Sequence, residues 1–520
     1  MQPFPSQQTL LVILDGFGIN PESTKNAITS AQKPNLDNLF ENYPFTTIEA
    51  GGEKVGLPKG VIGNSEVGHM NLGAGRPVRQ DLVRINESIR EQKLGQLERF
   101  VELIKTAQAN SKRIHLMGLL SDGGVHSHIS HIEEIIAQIH KADPELKTFF
   151  HAFMDGRDTA QDVGEKYIQQ LSKISAPFEF ASMQGRSIGM DRDRRWEKIQ
   201  NAYETLTGKR ETSALSPSEY LKSEYEQGRF DEFINPVLFD VDGTKNNAIQ
   251  AGDCVFFVNF RPDRAIQITL AFTWPEFKEF QRDFIPPYYL CMTPYVPEEV
   301  ELPILFDKER IKGGLCEHLS GLGKKVFKIA ETEKYAHVTY FFNGGTKTPY
   351  PGEDQVLIPS PREVKTYDEK PQMSAYEVTD KLIEALNSDY DLLVVNYANC
   401  DMVGHTGNYE AAVKAVEAVD ECVGKLIKKC EEKNKKGESI TLVLTADHGN
   451  SDEMTYADGS PHTSHSAAPV PFALYHPALK GSNIELNIKD GALMDVGPSI
   501  LSILGYDYPP SFQGKSIFKI

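Results

Sequence analysis

The sequence has few tryptophans and few cysteines for its length. Among its 520 residues are two Trp and six Cys, and no two cysteines form a Cys-x-x-Cys pair. Their spacing argues against a disulfide framework. A chain this long buries sizeable cores without disulfides. We therefore expect reduced thiols, as in a cytoplasmic protein.

The sequence also lacks a targeting signal and any long apolar run. It begins MQPFPSQQ, without the basic start of a signal peptide, and the apolar run 10–14 is far too short to be one. No segment approaches the roughly 20 apolar residues that cross a membrane as a helix. We expect a cytoplasmic protein without a membrane partner.

Positive charge is in deficit. The chain has 55 Lys and Arg against 73 Asp and Glu, and its formal net charge is −18. This charge repels polyanions, which argues against nucleic acid and anionic membrane surfaces as partners. Arginines that cluster locally in such a protein indicate a small anionic ligand.

Short apolar runs alternate with helix-like stretches, a pattern typical of an α/β fold with mostly parallel sheets. The runs form two groups, which predicts two sheets and hence two domains. The outer group comprises 9–14, 325–330, 391–395, 440–445 and 470–475, and the middle group comprises 113–120, 147–154, 178–183, 253–259 and 288–292.

Two connector-like stretches indicate where the domains meet. They are GAGRP at 73–77 and the proline-dotted stretch 293–303. If both are hinges, the middle segment is an insertion. We predict one discontinuous domain over 1–76 and 312–520, and an inserted domain over 77–311.

Metal-ligand residues closely follow three of the apolar runs, and two more lie in the later loop SPHTSHS. They are Asp15, Asp401, His405, Asp447, His448, His462 and His465. Each has an ordinary alternative: Asp-Gly after a strand is usually a turn, an i,i+4 pair can lie on a helix surface, and a lone histidine is often a loop residue. Their shared position at strand ends favours a metal site. Mixed carboxylate and imidazole ligands suit Mn²⁺ or Zn²⁺, and two ions about 3.5–4 Å apart are a recurrent device for phosphoryl transfer.

A candidate nucleophile lies in the segment GNSEVGH. Ser65 stands between flexible residues and a predicted helix start. A serine hydroxyl needs a base or a metal to become nucleophilic, and a helix amino terminus favours a bound phosphate. The alternative is that Ser65 only caps the helix.

Arginines and other polar residues follow the middle strands. The candidates are His126, Arg157, Asp158, Arg186, Arg261 and Arg264. The planar guanidinium fork suits carboxylate and phosphate oxygens, so these strand ends predict a clamp for a molecule that bears both. Arg192 lies in the mixed-charge run MDRDRRW, which by itself indicates a solvated helix face. Asp158 has the alternative role of a salt-bridge partner for Arg157.

The stretch VLFDVDGT at 237–244 matches the nucleophile strand of haloacid-dehalogenase-type phosphatases. A short motif needs its context, and the other strand-end ligands would be idle in such an enzyme. We expect a β-hairpin turn around Asp242 and Gly243 instead.

Eight motifs together resemble the cofactor-independent phosphoglycerate mutases of the alkaline phosphatase superfamily. In chain order they are LDGFG, GNSEVGH, SDGGVHSH, MDGRD, NFRPDR, DMVGH, TADHGN and HTSH, from Asp15 to His465. One departure is Phe17, where the family often has Trp; it is not a ligand position. The resemblance implies an alkaline-phosphatase-like, mostly parallel sheet flanked by helices, and an inserted second α/β domain.

The resemblance also assigns residues to roles. It implies two Mn²⁺ ions, with Zn²⁺ or Co²⁺ possible; the ligands of one would be Asp401, His405 and His465, and those of the other Asp15, Ser65, Asp447 and His448. It leaves His462 as a non-ligand. Lys334 would contact the phosphate, and Arg192 joins the substrate-binding residues. Asp158 becomes a contact for a substrate hydroxyl and a proton carrier.

The implied function is interconversion of 3-phosphoglycerate and 2-phosphoglycerate in glycolysis and gluconeogenesis. It would pass through a phosphoserine at Ser65, with Ser65, Asp158 and Lys334 as catalytic residues, in a monomeric enzyme without a bisphosphoglycerate cofactor. Rival functions are a phosphatase or phosphodiesterase of the same superfamily, a phosphopentomutase, and a metal-binding scaffold without catalysis.

Overall fold

The computed structural model describes residues 6–519 except 22, 241–242, 283–285, 287, 297–299, 309 and 483. The chain divides into two compact units. The first unit comprises Met1–Gln80 and Arg310–Ile520, and the second comprises Asp81–Glu309. The division falls at 80/81 and 309/310, where the sequence prediction placed it at 76/77 and 311/312.

Helices and strands alternate along most of the chain. The first part of the first unit contains β1 (Gln8–Leu14), α1 (Ala27–Ser30), α2 (Pro34–Asn42), β2 (Phe45–Ile48) and α3 (Ser65–Ala74). The second unit contains α4 (Asp81–Arg90), α5 (Glu98–Ala109), β3 (Arg113–Leu120), α6 (Ile129–Ala142), β4 (Lys147–Met154), α7 (Gly164–Leu171), β5 (Glu179–Gly185), α8 (Arg186–Gly189), α9 (Trp196–Leu206), β6 (Thr212–Ser213), α10 (Pro217–Glu226), β7 (Val237–Phe239), β8 (Cys254–Phe257), α11 (Ile266–Thr273) and β9 (Tyr288–Cys291). The rest of the first unit contains α12 (Leu315–Gly321), β10 (Val326–Glu331), α13 (Thr332–Ala336), β11 (Glu353–Ile358), α14 (Ala375–Ala385), β12 (Leu392–Tyr397), α15 (Asn399–Gly404), α16 (Tyr409–Lys435), β13 (Ile440–Thr445), β14 (Val470–Tyr475) and α17 (Val496–Leu504).

The first unit has a seven-stranded sheet in the order β11-β10-β12-β1-β13-β14-β2. The first five strands are parallel, whereas β14 is antiparallel to both β13 and β2. Every residue of β1 is buried, because a central parallel strand is covered on both faces. The parallel strands β12, β1 and β13 deliver their carboxyl ends side by side, which brings together the residues that follow them.

The second unit has its own seven-stranded sheet in the order β6-β7-β5-β4-β3-β8-β9. All neighbours are parallel except β7 and β5. The predicted hairpin after β7 is wrong, because β8 lies between β3 and β9 and does not pair with β7. Val241 and Asp242 of the phosphatase-like motif lie outside the described residues.

The predicted α/β fold class, with two mostly parallel sheets flanked by helices, is confirmed. All six cysteines are buried and free. Among the helices that the structure describes, none has the length and apolarity to cross a membrane.

Candidate active site

The carboxyl ends of β1 and β13 place four of the predicted metal ligands in contact. Asp15 follows β1, Asp447 and His448 follow β13, and Ser65 begins α3. Ser65 Oγ lies 2.9 Å from His448 Nε2 and 3.2 Å from Asp15 Oδ1. His448 Nε2 is 3.6 Å from Asp447 Oδ2. All four residues are buried.

The other three predicted metal ligands form an adjacent group. Asp401 Oδ1 lies 3.1 Å from His405 Nε2 and 3.3 Å from His465 Nε2. The two imidazole Nε2 atoms are 3.1 Å apart. The ligand atoms of Asp401, His465 and His448 also lie within 4.8 Å of one another, so His448 lies where the two groups meet. His462 packs against Tyr456 outside these groups.

Lys334 lies between the two groups. Its ammonium donates to Asp15 Oδ1 at 2.7 Å, to Ser65 Oγ at 2.8 Å and to Asp401 Oδ2 at 2.6 Å. Burial lowers the Lys334 pKa, but Asp15 and Asp401 raise it by more, and the net pKa is raised. The side chain therefore remains a buried cation with a hydrogen bond to the candidate nucleophile.

The interpretation of Ser65 as a helix cap is wrong. Asn64 is the N-cap of α3, and its side chain accepts a hydrogen bond of 3.0 Å from the Val67 backbone N–H. Ser65 is the first helical residue, so its hydroxyl is not needed for capping. This leaves the Ser65 hydroxyl available for contacts with the Asp, His and Lys side chains.

Each of the three clustered histidines donates from Nδ1 to a backbone carbonyl. His405 Nδ1 donates to Thr463 O at 2.7 Å, His448 Nδ1 to Gly449 O at 3.1 Å and His465 Nδ1 to Gly63 O at 3.0 Å. Carbonyl acceptors fix the proton on Nδ1 in each neutral ring. Each Nε2 is then an acceptor, as in histidines that ligate a metal through one nitrogen and donate from the other.

Fixed acceptors converging in this way fit a site for cations. His405 Nε2 and His465 Nε2 face each other and Asp401. Asp447 Oδ2 is buried, and His69 Nδ1 lies 3.3 Å from it. Burial raises the Asp15 pKa and the nearby Asp447 raises it further, whereas His448 and His69 lower the Asp447 pKa despite its burial. A divalent cation between these oxygen and nitrogen atoms would relieve the repulsion.

A second cluster, formed by the predicted substrate-binding residues, lies at the carboxyl ends of the second unit's strands. Arg186 is buried, and its Nη1 donates at 2.6 Å to both Asp155 Oδ1 and Asp158 Oδ2. Asp155 also accepts from Ser121 Oγ at 2.6 Å. Asp158 therefore pairs with Arg186, and its predicted alternative partner Arg157 lies 3.7 Å from Glu232 instead.

The remaining cations of this cluster come from the loops before α9 and α11. Arg192 and Arg261 both contact Asp263, and Arg264 Nη1 donates to the Met190 carbonyl at 3.1 Å. Arg192 lies in a loop, so its interpretation as part of a helix face is wrong. Burial, together with Arg186, Arg192 and Arg157, lowers the Arg264 pKa. Burial and Arg186 lower the His126 pKa to about 4, so this imidazole is neutral near pH 7.

Sequence reasoning missed several residues that hold the candidate ligands in place. Asn396 donates to Asp15 Oδ2 at 2.7 Å and lies 3.0 Å from His69 Nε2. Asn450 donates to Asp401 Oδ1 at 2.9 Å. The signal for Asn396 was a polar residue inside the otherwise apolar strand β12, and Asn450 stands in the motif TADHGN.

Known proteins match this chain over nearly its whole length. The family model described as the Metalloenzyme superfamily matches residues 7–508. The 2,3-bisphosphoglycerate-independent phosphoglycerate mutase of Clostridium novyi is 46% identical over 515 residues, which cover 98% of this chain and 99% of that protein. The enzyme of that name from Moorella thermoacetica is 44% identical over 513 residues, with 98% of each chain covered.

A solved structure agrees with these relatives. The crystal structure of Leishmania mexicana phosphoglycerate mutase at low cobalt concentration is similar with a TM-score of 0.66 and 30% identity. The match covers 100% of this chain and 99% of that chain. The fold and site thus define a member of the Metalloenzyme superfamily, a class in which divalent metal binding is implied. Within it, the chain belongs to the family of 2,3-bisphosphoglycerate-independent phosphoglycerate mutases, which confirms the predicted resemblance.

Proposed function

We propose that this chain interconverts 3-phosphoglycerate and 2-phosphoglycerate through a phosphoserine at Ser65. The names of its relatives support the reaction. The observation that carries the chemistry is the position of Ser65 Oγ, within 3.2 Å of Asp15, His448 and Lys334. A buried hydroxyl among a carboxylate, an imidazole and an ammonium can be activated and can receive a phosphoryl group.

The metal cofactor of the proposal is a pair of Mn²⁺ ions, with Zn²⁺ or Co²⁺ as alternatives. Asp401, His405 and His465 would hold one ion, and Asp15, Ser65, Asp447 and His448 the other. When bound, such ions supply Lewis-acid stabilisation of phosphoryl oxygens and lower the pKa of a coordinated hydroxyl. The name of the Leishmania structure mentions cobalt, which supports a divalent transition metal of this kind.

The proposed reaction has two balanced steps. In the first, Ser65 Oγ gives up its proton and forms a bond to phosphorus, the ester bond to glycerate breaks, and the freed glycerate oxygen takes up a proton. In the second, the other glycerate hydroxyl gives its proton to Asp158 and attacks the phosphoserine, and the bond between phosphorus and Ser65 Oγ breaks. Ser65 Oγ takes a proton back and Asp158 gives its proton up, so the enzyme returns to its starting state. Lys334 stabilises negative charge on the transferred group through its ammonium.

The glycerate must stay bound between the two steps. We assign this to Arg157, Arg186, Arg192, Arg261, Arg264 and His126, the cluster of the second unit. Since Arg186 is already shared by Asp155 and Asp158, its main part is to orient Asp158. Retention of glycerate separates a mutase from a phosphatase, since a lost glycerate leaves the phosphoserine to water.

The experiment is an assay with 3-phosphoglycerate in the absence of bisphosphoglycerate, with Mn²⁺ and with chelator. The expected product is 2-phosphoglycerate, lost on chelation, and mass spectrometry of acid-quenched protein should find phosphate on the Ser65 peptide. Ser65→Ala should abolish both signals, whereas Ser499→Ala, a change at a buried serine of α17, should retain them. Free phosphate in place of 2-phosphoglycerate would identify a phosphatase. The cytoplasmic location and the monomeric state stay predictions.

A further inference from the structure

Asp263 is a carboxylate surrounded by proposed substrate-binding cations. It lies in the loop between β8 and α11, two residues after Arg261 and directly before Arg264. Its Oδ1 accepts from Arg261 Nε at 3.1 Å, and its Oδ2 accepts from Arg192 Nη1 at 2.9 Å. His126 Nδ1 lies 3.7 Å from Oδ1. One carboxylate thus joins side chains that come from three different strand ends.

The bridge leaves both guanidinium groups able to bind a ligand. Arg261 contacts Asp263 through Nε and Arg192 through Nη1, and an arginine has five N–H donors. The two side chains are 50% and 46% exposed, so without a partner each would sample many rotamers. Two guanidinium groups held near each other also repel, and the carboxylate offsets that repulsion.

The backbone around Asp263 is held by other bonds. Ala265 N donates to Pro262 O at 2.8 Å and closes the turn that contains Asp263. Arg264 Nη1 donates to Met190 O at 3.1 Å, and Gln267 Nε2 donates to Asp191 O at 2.7 Å, which fastens the loop of Arg192 to α11. Loss of the Asp263 carboxylate should therefore free two side chains without unfolding either loop.

We propose that Asp263 is a positioning residue for substrate binding. It holds Arg192 and Arg261 at a fixed separation from which both donate to the anionic glycerate. Because the two side chains are already ordered in the free protein, substrate binding does not carry the entropic cost of ordering them. The inference rests on the proposed function, because it takes these arginines as substrate-binding residues.

The experiment compares D263A, D263N and D263E with D193A in Mn²⁺-loaded protein. Asp193 is 55% exposed and pairs with Arg195, so D193A makes the same change in net charge outside the bridge. D263A and D263N should raise the KM for 3-phosphoglycerate by about tenfold or more, with kcat and the melting temperature nearly unchanged. D263E, which keeps the carboxylate, should recover part of the loss, and D193A should behave like wild type.

A mutant cycle tests whether Asp263 acts through the two arginines. In an R192A/R261A background, D263A should change the KM by less than about twofold, because the groups it positions are gone. The dissociation constants for D-glycerate, measured by calorimetry, should rank the variants in the same order as the KM values. This measurement does not depend on catalytic turnover.

Three results would overturn the inference. The first is an unchanged KM in D263A, and the second is a lowered KM, which would show that Asp263 competes with the substrate for the arginines. The third is a change in KM caused by D263A that is as large in the R192A/R261A background as in the wild-type background. If wild-type protein binds D-glycerate but does not isomerise 3-phosphoglycerate, only the proposed function fails. If it does neither, both fail.

Discussion

The Lys334 ammonium donates a hydrogen bond of 2.8 Å to the Ser65 hydroxyl. It also bonds to Asp15 and Asp401, which are ligands in the two proposed metal sites. A cation at this position stabilises a transferring phosphoryl group but repels metal ions. Lys334 is therefore expected to act on the reaction more than on the assembly of the metal site.

The first prediction follows from this position. Lys334→Gln should lower kcat by about 10²-fold or more, because a charged donor near the reacting atoms is lost. The affinity for Mn²⁺ should stay the same or rise, since a buried positive charge has been removed. Calorimetric Mn²⁺ titration and 3-phosphoglycerate turnover measure the two effects. Lys433→Gln is the matched control, because Lys433 is also buried but binds the Leu386 carbonyl. Loss of Mn²⁺ binding in Lys334→Gln would show that Lys334 mainly holds the ligands together.

The second prediction concerns the contact between α3 and the turn after β13. A Cβ added at Gly68 would lie 2.7 Å from Asp447 Cβ and 2.8 Å from Asp447 O. Gly68→Ala should push Asp447 away, costing about 1–3 kcal/mol of stability and weakening Mn²⁺ binding. Gly321→Ala is the control, because a Cβ there meets nothing within 4 Å. Equal melting temperatures and equal Mn²⁺ affinities in the two variants would contradict the prediction.

Strand-end reasoning located the candidate ligands because the strands themselves were visible as apolar runs. The predicted strands 113–120, 147–154, 440–445 and 470–475 coincide with β3, β4, β13 and β14. The edge strands β2 and β11 were missed; β11 has the polar sequence EDQVLI and is only partly buried. An edge strand needs fewer apolar residues than a central one.

The partners of the site residues were less visible than the site residues themselves. Asp15 and Asp447 were predicted because each closely follows a strand. That β1 and β13 are neighbours depends on the strand order of the sheet, which the sequence pattern does not give. Asp263 was missed because a charged residue between two arginines has an ordinary surface explanation. Its bridge to Arg192 joins residues 71 positions apart, and a local sequence pattern cannot predict a contact over that separation.

The third prediction separates two arginines that sequence reasoning treated alike. Arg186 is buried between Asp155 and Asp158, so Arg186→Ala leaves two carboxylates without their partner and should destabilise the protein by about 3–5 kcal/mol. Arg264 donates to a backbone carbonyl and forms no ion pair with a carboxylate among the described residues. Arg264→Ala should raise the KM for 3-phosphoglycerate with a much smaller change in stability. Chemical denaturation and steady-state kinetics measure both quantities, and the opposite ranking would refute the assignment.

The fourth prediction is a pH dependence of stability at Glu331, the last residue of β10. Glu331 is buried and accepts a hydrogen bond of 2.8 Å from Ser360 Oγ. Burial raises the pKa of Glu331 from 4.5 to about 7. The folded protein therefore keeps this proton after the unfolded chain has lost it, so the contribution to stability falls as the pH rises through this window. Above pH 7 the buried carboxyl is ionised in the folded protein as well, and the full loss of folding stability, about 3 kcal/mol at most, is reached.

Glu331→Gln should remove this cost, because a neutral amide needs no desolvation of charge. We expect the variant to be more stable than wild type at pH 8 and to lose that advantage at pH 5, since the wild-type carboxyl is then protonated in the folded state. Thermal unfolding at the two pH values measures the difference, with Glu41→Gln on the exposed side of α2 as the control. An advantage of the same size at pH 5 and pH 8 would mean that the effect comes from packing. Under the predicted linkage, the advantage must grow with pH because only the unfolded chain releases the proton between pH 5 and 7.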